Sequence, residues 1–287
     1  MLESIFIKVP SLDDNELVPT LLDAIEKANN PYRLHFGVSL MWSDEKYPKD
    51  LIKFVRSVKW MTSNFKIVTQ KYNKNMLGVG KQRKIVGDMY NGEDYILQID
   101  SHTWFTEDWD TKLVDLHKEC HYPNAILTAY AGRYQYIDGK RTPIEGGLLR
   151  YPWIHKGERQ YCGFTDNWED LPYEGEAKYV PVKFCANFAF GAKEWGIKTG
   201  LAADSVFFSE EPLQTEYLKI NGFNLVFPNI DYPLICHLYH QHMTEQSERK
   251  AFTDYLTDDE ADYLMNIQDK EVYENHMARI EHFKHIT

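Results

Sequence analysis

At 287 residues, 43% hydrophobic and 26% charged, the chain has the composition of an ordinary globular protein with a full core, which excludes a disordered or fibrous chain. Its formal net charge of -11 opposes unaided binding to nucleic acid or anionic membranes, and no apolar run reaches the length of a membrane span. The start, MLESIFIKVPS, lacks the basic and long apolar segments of a leader, and Cys120, Cys162, Cys185 and Cys236 are far apart with no C-x-x-C pair, so reduced thiols in a cytoplasm are expected and a cysteine zinc site is not.

The stretch IFIKVPSLDDNELVPTLLDAIEKA reads as strand, loop and helix. Ile5 and Ile7 alternate with Phe6 and Lys8, Pro10 ends the strand, and Asp14 or Asn15 caps a helix with Leu17, Leu21, Leu22 and Ile25 on its apolar face. RLHFGVSLMW is a second strand, LIKFVRSV a short helix and FKIVTQ a third strand. KQRKIVGDMYNG is helical and closes at Gly92 before the strand DYILQID. This alternation predicts an α/β fold with a mostly parallel central sheet, whose ligands sit outside the carboxyl ends of the strands. Ser11, Trp42 and Asp100 then share one rim.

Further along, WDTKLVDLHKE is a helix and AILTAY a strand. Residues 131–180, rich in Gly, Pro, Tyr and Trp, read as β-ribbons and loops covering an acceptor side. KFCANFAFGA is a strand, SEEPLQTEYLKING a helix stopped at Asn221-Gly222, and FNLVFP another strand before ICHLYHQH. Beyond Thr244 the chain turns polar, and TDDE, from Thr257 to Glu260, is a capping box that opens a helix carrying Tyr263 and Leu264. The expected organisation is a domain over 1–244 and a helical extension over 245–287.

Asp100 and His102 are two apart in an extended segment, so their side chains address one object while Ser101 turns aside. A carboxylate oxygen with a neutral imidazole suits Mn²⁺, or Mg²⁺ shared with substrate phosphates. From these three residues alone, a helix cap and a surface histidine are the favoured reading. Lys71, Lys74, Lys81, Arg83 and Lys84 form the clearest basic cluster, a solvated face or a face toward something anionic. Trp42 can stack on a base or a sugar, whereas Trp104 and Trp109 read as packing.

The block NGEDYILQIDSHTWFTEDWD resembles the cytoplasmic polypeptide N-acetylglucosaminyltransferases that modify hydroxyproline in protists, with their bacterial and viral relatives. VPSLDDNELVPTLLDAIEKANNP, GVGKQR, ILTAY, FCANFAFG, FFSEE and HLYH keep the family's order, so the similarity covers most of Ile5 to His240. At the positions after Pro-Ser where the family has an aromatic residue and an arginine, this chain has Leu12 and Asp13. The segment from Gly157 to Glu176 and the tail from Glu245 match none of the motifs that carry this resemblance.

The resemblance implies a GT-A fold and a metal-dependent retaining glycosyltransferase. Its donor would be a UDP-sugar, N-acetylglucosamine first and glucose second, with Asp100, His102 and His237 as metal ligands. Glu210 and Glu211 are the implied catalytic residues, Glu211 slightly favoured; as ordinary residues, both suit a helix start. Pro10, Ser11, Trp42, Lys81, Arg83 and Asp94 are the implied donor-binding residues, although Lys81 and Arg83 serve equally as a solvated helix start and Asp94 as a turn cap. A protein or glycan hydroxyl is the expected acceptor. Hydroxymethylated DNA bases are the alternative, and a non-catalytic nucleotide-sugar or glycan-binding module is the reading from another class.

Overall fold

Strand β1 (Ile5–Leu12) is buried along almost its whole length, on both faces. Alternation therefore misplaces Lys8, which is 2% exposed: a central strand covered on both sides has no solvent face. The strand also runs through Pro10 instead of ending there. Pro10 stands beyond the last β1–β4 pair, Lys8↔Gln98, where the strand has one neighbour only and tolerates a missing donor. The computed structural model describes residues 3–73, 78–151, 176–198, 203–239, 243 and 252–284. Lys74, His240, His242, the stretch 152–175 with Cys162, and residues 244–251 lie outside them.

After β1 come α1 (Leu17–Glu26), β2 (Leu34–Trp42), α2 (Lys46–Ser57), β3 (Phe65–Lys71), α3 (Val79–Gly87) and β4 (Tyr95–Ile99). β3, β2, β1 and β4 are parallel neighbours in that order, so their carboxyl ends form the expected rim. α3 starts earlier than expected and ends at Gly87; Gly92, at φ 92°, belongs to the turn before β4. α3 can lie close on β1 and β2 because Gly37 has no side chain. A Cβ there would meet the Phe6 ring at 2.5 Å and Val86 of α3 at 3.0 Å.

β5 (Thr103–Phe105) follows the Asp-Ser-His segment, and α4 (Trp109–Glu119) leads to β6 (Ala125–Thr128). The expected ribbon is present as the hairpin of β7 (Gly132–Ile137) and β8 (Lys140–Ile144). It is seated on the start of α1: Tyr134 and Tyr136 each donate a hydroxyl to buried Glu16 at 2.8 Å, and Arg141 Nε lies 3.2 Å from the same carboxylate.

β9 (Tyr179–Pro181), β10 (Phe188–Ala192), α5 (Glu210–Ile220), β11 (Asn224–Pro228) and β12 (Ile235–His237) complete the sheets. Among the described residues the main sheet has eight strands, ordered β3-β2-β1-β4-β10-β6-β11-β9. Four of its seven strand pairings are parallel, as expected, and the antiparallel ones lie beyond β4, where β10 enters between β4 and β6 and β9 pairs with β11. A second sheet, β5-β12-β7-β8, lies at the ligand end.

The tail carries α6 (Asp258–Asp262), opened by the capping box of Thr257 and Glu260, and α7 (Asp269–Lys284). α7 packs against α5 and buries Ile280 completely. No helix among the described residues is long and apolar enough to cross a membrane.

Candidate functional site

Two sheets meet where β4 ends. Asp100 follows β4 directly, and His102 stands one residue before β5. β12 pairs antiparallel with β5 in the register His237↔Thr103, which sets His237 beside His102. The Leu238 N–H donates to His102 O at 3.0 Å and locks that register. One ligand atom from each of Asp100, His102 and His237 lies within 4.8 Å of the others. His102 Nε2 is 2.8 Å from His237 Nε2, which is 3.1 Å from Asp100 Oδ2.

His102 and Asp100 are each oriented from behind. His102 Nδ1 donates to Asp14 Oδ2 at 2.7 Å, which leaves the lone pair of Nε2 directed at the other two side chains. Asp14 is 4% exposed and also accepts from Ser101 Oγ at 2.5 Å. Sequence reasoning treats Asp14 as a cap, and it does accept from the Glu16 N–H at 2.9 Å; its second oxygen supports the site. The usable signal is chemical, since an imidazole ligand needs an acceptor for its other ring N–H and an acid after the neighbouring strand can supply one.

Arg83, 4% exposed, donates from Nη2 to Asp100 Oδ1 at 2.9 Å, and its Nε lies 2.6 Å from Glu210 Oε1. Burial alone would raise the Asp100 carboxyl. The His237 hydrogen bond and the Arg83 guanidinium reverse this and hold it well below the usual carboxylate range. Asp100 is thus a full anion whose free oxygen faces two imidazoles. One carboxylate oxygen and two ring nitrogens form a donor set that can hold a divalent cation of the Mn²⁺ type.

The other expected residues are distributed as follows. Glu210 is buried, and burial raises its carboxyl against the pull of Arg83. Glu211 Oε1 accepts from the Ala186 N–H at 2.8 Å, and burial pushes its carboxyl up to about 8, so it carries a proton at neutral pH. Ser11 and Trp42 stand at the rim, and Pro10 is inside β1. Lys81 lines a cleft with Asp204, Asp259 and Tyr263 instead of joining Arg83. Asp94 is not brought to the site. It precedes β4 at the amino end, accepts from Ser4 N and Oγ at 2.8 and 2.9 Å, and is separated from Asp100 by the whole strand.

The basic cluster does not form one face. Arg83 is internal, and exposed Lys84 pairs with Asp88 at 2.6 Å.

Lys8 also belongs beneath the site, which no sequence signal indicated. It donates to Gln98 Oε1 at 2.9 Å, and burial together with the Arg83 charge pushes its ammonium down to about 7, against the pull of Glu210. Below pH 7 the folded and unfolded chains both hold this proton; between about 7 and 10.5 only the unfolded chain does, so folding stability rises with pH through that window. Relative to Lys8→Met, the protein is expected to gain on the order of 1.4 kcal/mol per pH unit between about pH 7 and 9, read by urea unfolding. Parallel pH profiles for the two proteins would show that Lys8 titrates normally.

Comparison with known proteins places the chain in a family and gives the fold type. Residues 74–282 match the Glycosyltransferase (GlcNAc) family. No match was found among curated proteins. The crystal structure of GalNAc-T7 with UDP, GalNAc and Mn²⁺ superposes with a TM-score of 0.59 at 14% identity, covering 96% of this chain and 55% of that one. S. aureus TarS in complex with UDP-GlcNAc gives a TM-score of 0.45 at 12% identity, covering 86% of this chain and 62% of that one. The chain thus spans less than two thirds of either structure's length. The architecture is the GT-A type, and the chain belongs to the GlcNAc glycosyltransferase family.

Proposed function

We propose that the protein is a retaining glycosyltransferase that moves a sugar from a UDP-sugar to a hydroxyl acceptor, with Asp100, His102 and His237 holding Mn²⁺ or Mg²⁺. The observation that carries this reading is the convergence of the three side chains, with Asp14 fixing His102 and Arg83 fixing Asp100. N-acetylglucosamine is the first choice of sugar, in keeping with the family, and glucose the second. The GalNAc-T7 structure contains UDP and Mn²⁺ on a similar fold, which supports a nucleotide donor and a divalent ion here.

When bound, the ion offsets the charge developing on the departing diphosphate. The chain's own residues then have separate tasks. Arg83 keeps the Asp100 carboxylate ionised and aimed, and Glu210 holds the other side of the guanidinium, which fixes the direction from which Arg83 meets Asp100. Glu211, protonated at neutral pH, donates a hydrogen bond to a sugar hydroxyl. Retention lets the acceptor hydroxyl attack from the face the diphosphate leaves, so no separate strong base is needed.

A protein or glycan hydroxyl is the favoured acceptor. A DNA acceptor needs a local track of cations, yet Arg83 is internal and Lys84 is engaged with Asp88. The donor reading is tested by calorimetry with UDP, GDP, CDP and TDP, each with Mn²⁺ or with EDTA. UDP is expected to bind with at least ~10-fold preference for the Mn²⁺ condition, because an ion held by Asp100, His102 and His237 would offset the charge of the diphosphate. Equal binding in EDTA would sink the metal role, and a clear preference for GDP would change the donor. Labelled donor offered to a protein fraction and to hydroxymethylated DNA decides the acceptor, and label confined to DNA would reverse the choice.

A further inference from the structure

The rim at the ends of β1, β2 and β3 carries a group of polar atoms that the metal triad does not use. Ser11 Oγ, Trp42 Nε1 and Tyr72 OH are buried, and none has a hydrogen-bond partner among the described residues. Ser11 is 5% exposed, so its hydroxyl is not simply solvated. The Tyr72 N–H donates to Trp42 O at 2.6 Å, extending the β2–β3 ladder and bringing these two aromatic residues together. Buried polar atoms without partners call for a ligand with complementary polar edges.

Over this rim the C-terminal segment places Tyr255. Its ring stacks on Tyr72 at 4.3 Å between centroids, with 22° between the planes. Its hydroxyl donates to Asp13 Oδ2. Asp13 is 1% exposed, sits at φ 39° in the left-handed region, and takes the Ser43 N–H at 2.8 Å and the Ser43 hydroxyl on the same carboxylate. The tyrosine is therefore held at its ring and at its tip. Burial and the Asp13 carboxylate push the phenol well above its usual range, so it remains a donor.

We propose that Tyr255 is a specificity-determining residue of the donor site, an aromatic wall on which the nucleobase stacks. The inference rests on the nucleotide-donor reading above. Two observations distinguish a wall from a plug. Tyr255 directs its one polar atom at Asp13 and gives Ser11 Oγ, Trp42 Nε1 and Tyr72 OH no hydrogen bond, whereas an occupant of the base position would engage them. The ring is also only half-buried. Position favours a base over a sugar. From Asp100 beyond β4 to Tyr72 beyond β3 there are three strand spacings, roughly 14 Å, which places Tyr72 at the far end of a nucleoside diphosphate whose phosphates sit at the triad. Asp13, directly beyond β1, anchors this aromatic surface of the tail over the rim.

The test is calorimetry on the full chain with UDP and Mn²⁺, uridine alone, and inorganic pyrophosphate with Mn²⁺. Tyr255→Ala is expected to weaken UDP and uridine by the same factor, about 10- to 100-fold, the usual loss when a base-stacking aromatic residue is truncated. Pyrophosphate binding should be unchanged, which also reports an intact fold. Tyr255→Phe, which keeps the ring, should stay within about 5-fold of wild type. Unchanged or tighter UDP binding by Tyr255→Ala overturns the wall. Loss of pyrophosphate together with UDP overturns it too, because the residue would then act on the whole site. If wild type binds pyrophosphate with Mn²⁺ but none of UDP, GDP, CDP and TDP better, the donor reading fails and this inference with it.

Discussion

Asp100→Asn is expected to lower sugar transfer or donor hydrolysis by about 10³-fold while leaving the protein folded. The lost term is several kcal/mol of charge stabilisation on the leaving diphosphate, and each 1.36 kcal/mol is tenfold in rate. Asparagine is the right probe because it keeps the shape and leaves Arg83 paired with Glu210 across 2.6 Å. An alanine would strip one side of a buried guanidinium and mix a folding defect into the result. Asp14→Asn should act more weakly, by about 10- to 100-fold in metal affinity, since it disturbs the orientation of His102 without removing a ligand. Near-wild-type turnover by Asp100→Asn, measured with saturating Mn²⁺, would remove the triad from the mechanism.

Asp269→Ala should cost about 3–5 kcal/mol of folding stability, read as a fall in the urea midpoint at unchanged m-value. Asp269 opens α7 and is fully buried. Its carboxylate accepts from the Val206, Phe207 and Ser209 N–H groups at 2.9, 3.2 and 2.8 Å, and from the Ser209 hydroxyl. These are the donors just before α5, the helix that carries Glu210 and Glu211. Removing the acceptor leaves several buried amides without a partner, each costing about 1–3 kcal/mol before relaxation. His276 adds a second tie, with Nε2 on Asp204 and Nδ1 on Tyr217 at 2.7 and 2.6 Å. A loss under about 1 kcal/mol would mean that water replaces the carboxylate.

The half of the fold up to β4 is legible in the sequence because it is built from local signals. Apolar runs, a helical period and turn residues alternate in chain order, and they place Ser11, Trp42 and Asp100 on one edge. The same signals do not reveal the second sheet. β5 and β12 have three residues each, too short for a period to be counted, and their pairing joins residues more than a hundred positions apart. Asp269 gives no local hint either, since an aspartate opening a polar helix looks like any other first-turn acid. Lys8 fails differently: one lysine in an apolar strand marks a polar face only if the strand has one. Asp94 and Asp100 flank the same five-residue strand, and it is the direction of the parallel sheet that decides which of them can meet a ligand.

The pairing of β12 with β5 also fixes when the triad can exist. His102 and His237 are 135 residues apart, so at roughly 5–20 residues per second the ribosome needs about 7–27 s between making one and making the other. During that interval the β1–β4 layer can already be folded, while Asp100 has Arg83 but not His237, and Arg83 has not yet met Glu210. Any nascent chain released before β12 therefore lacks the three-sided site. Synthesis of β12 is the step that first allows Asp100, His102 and His237 to meet.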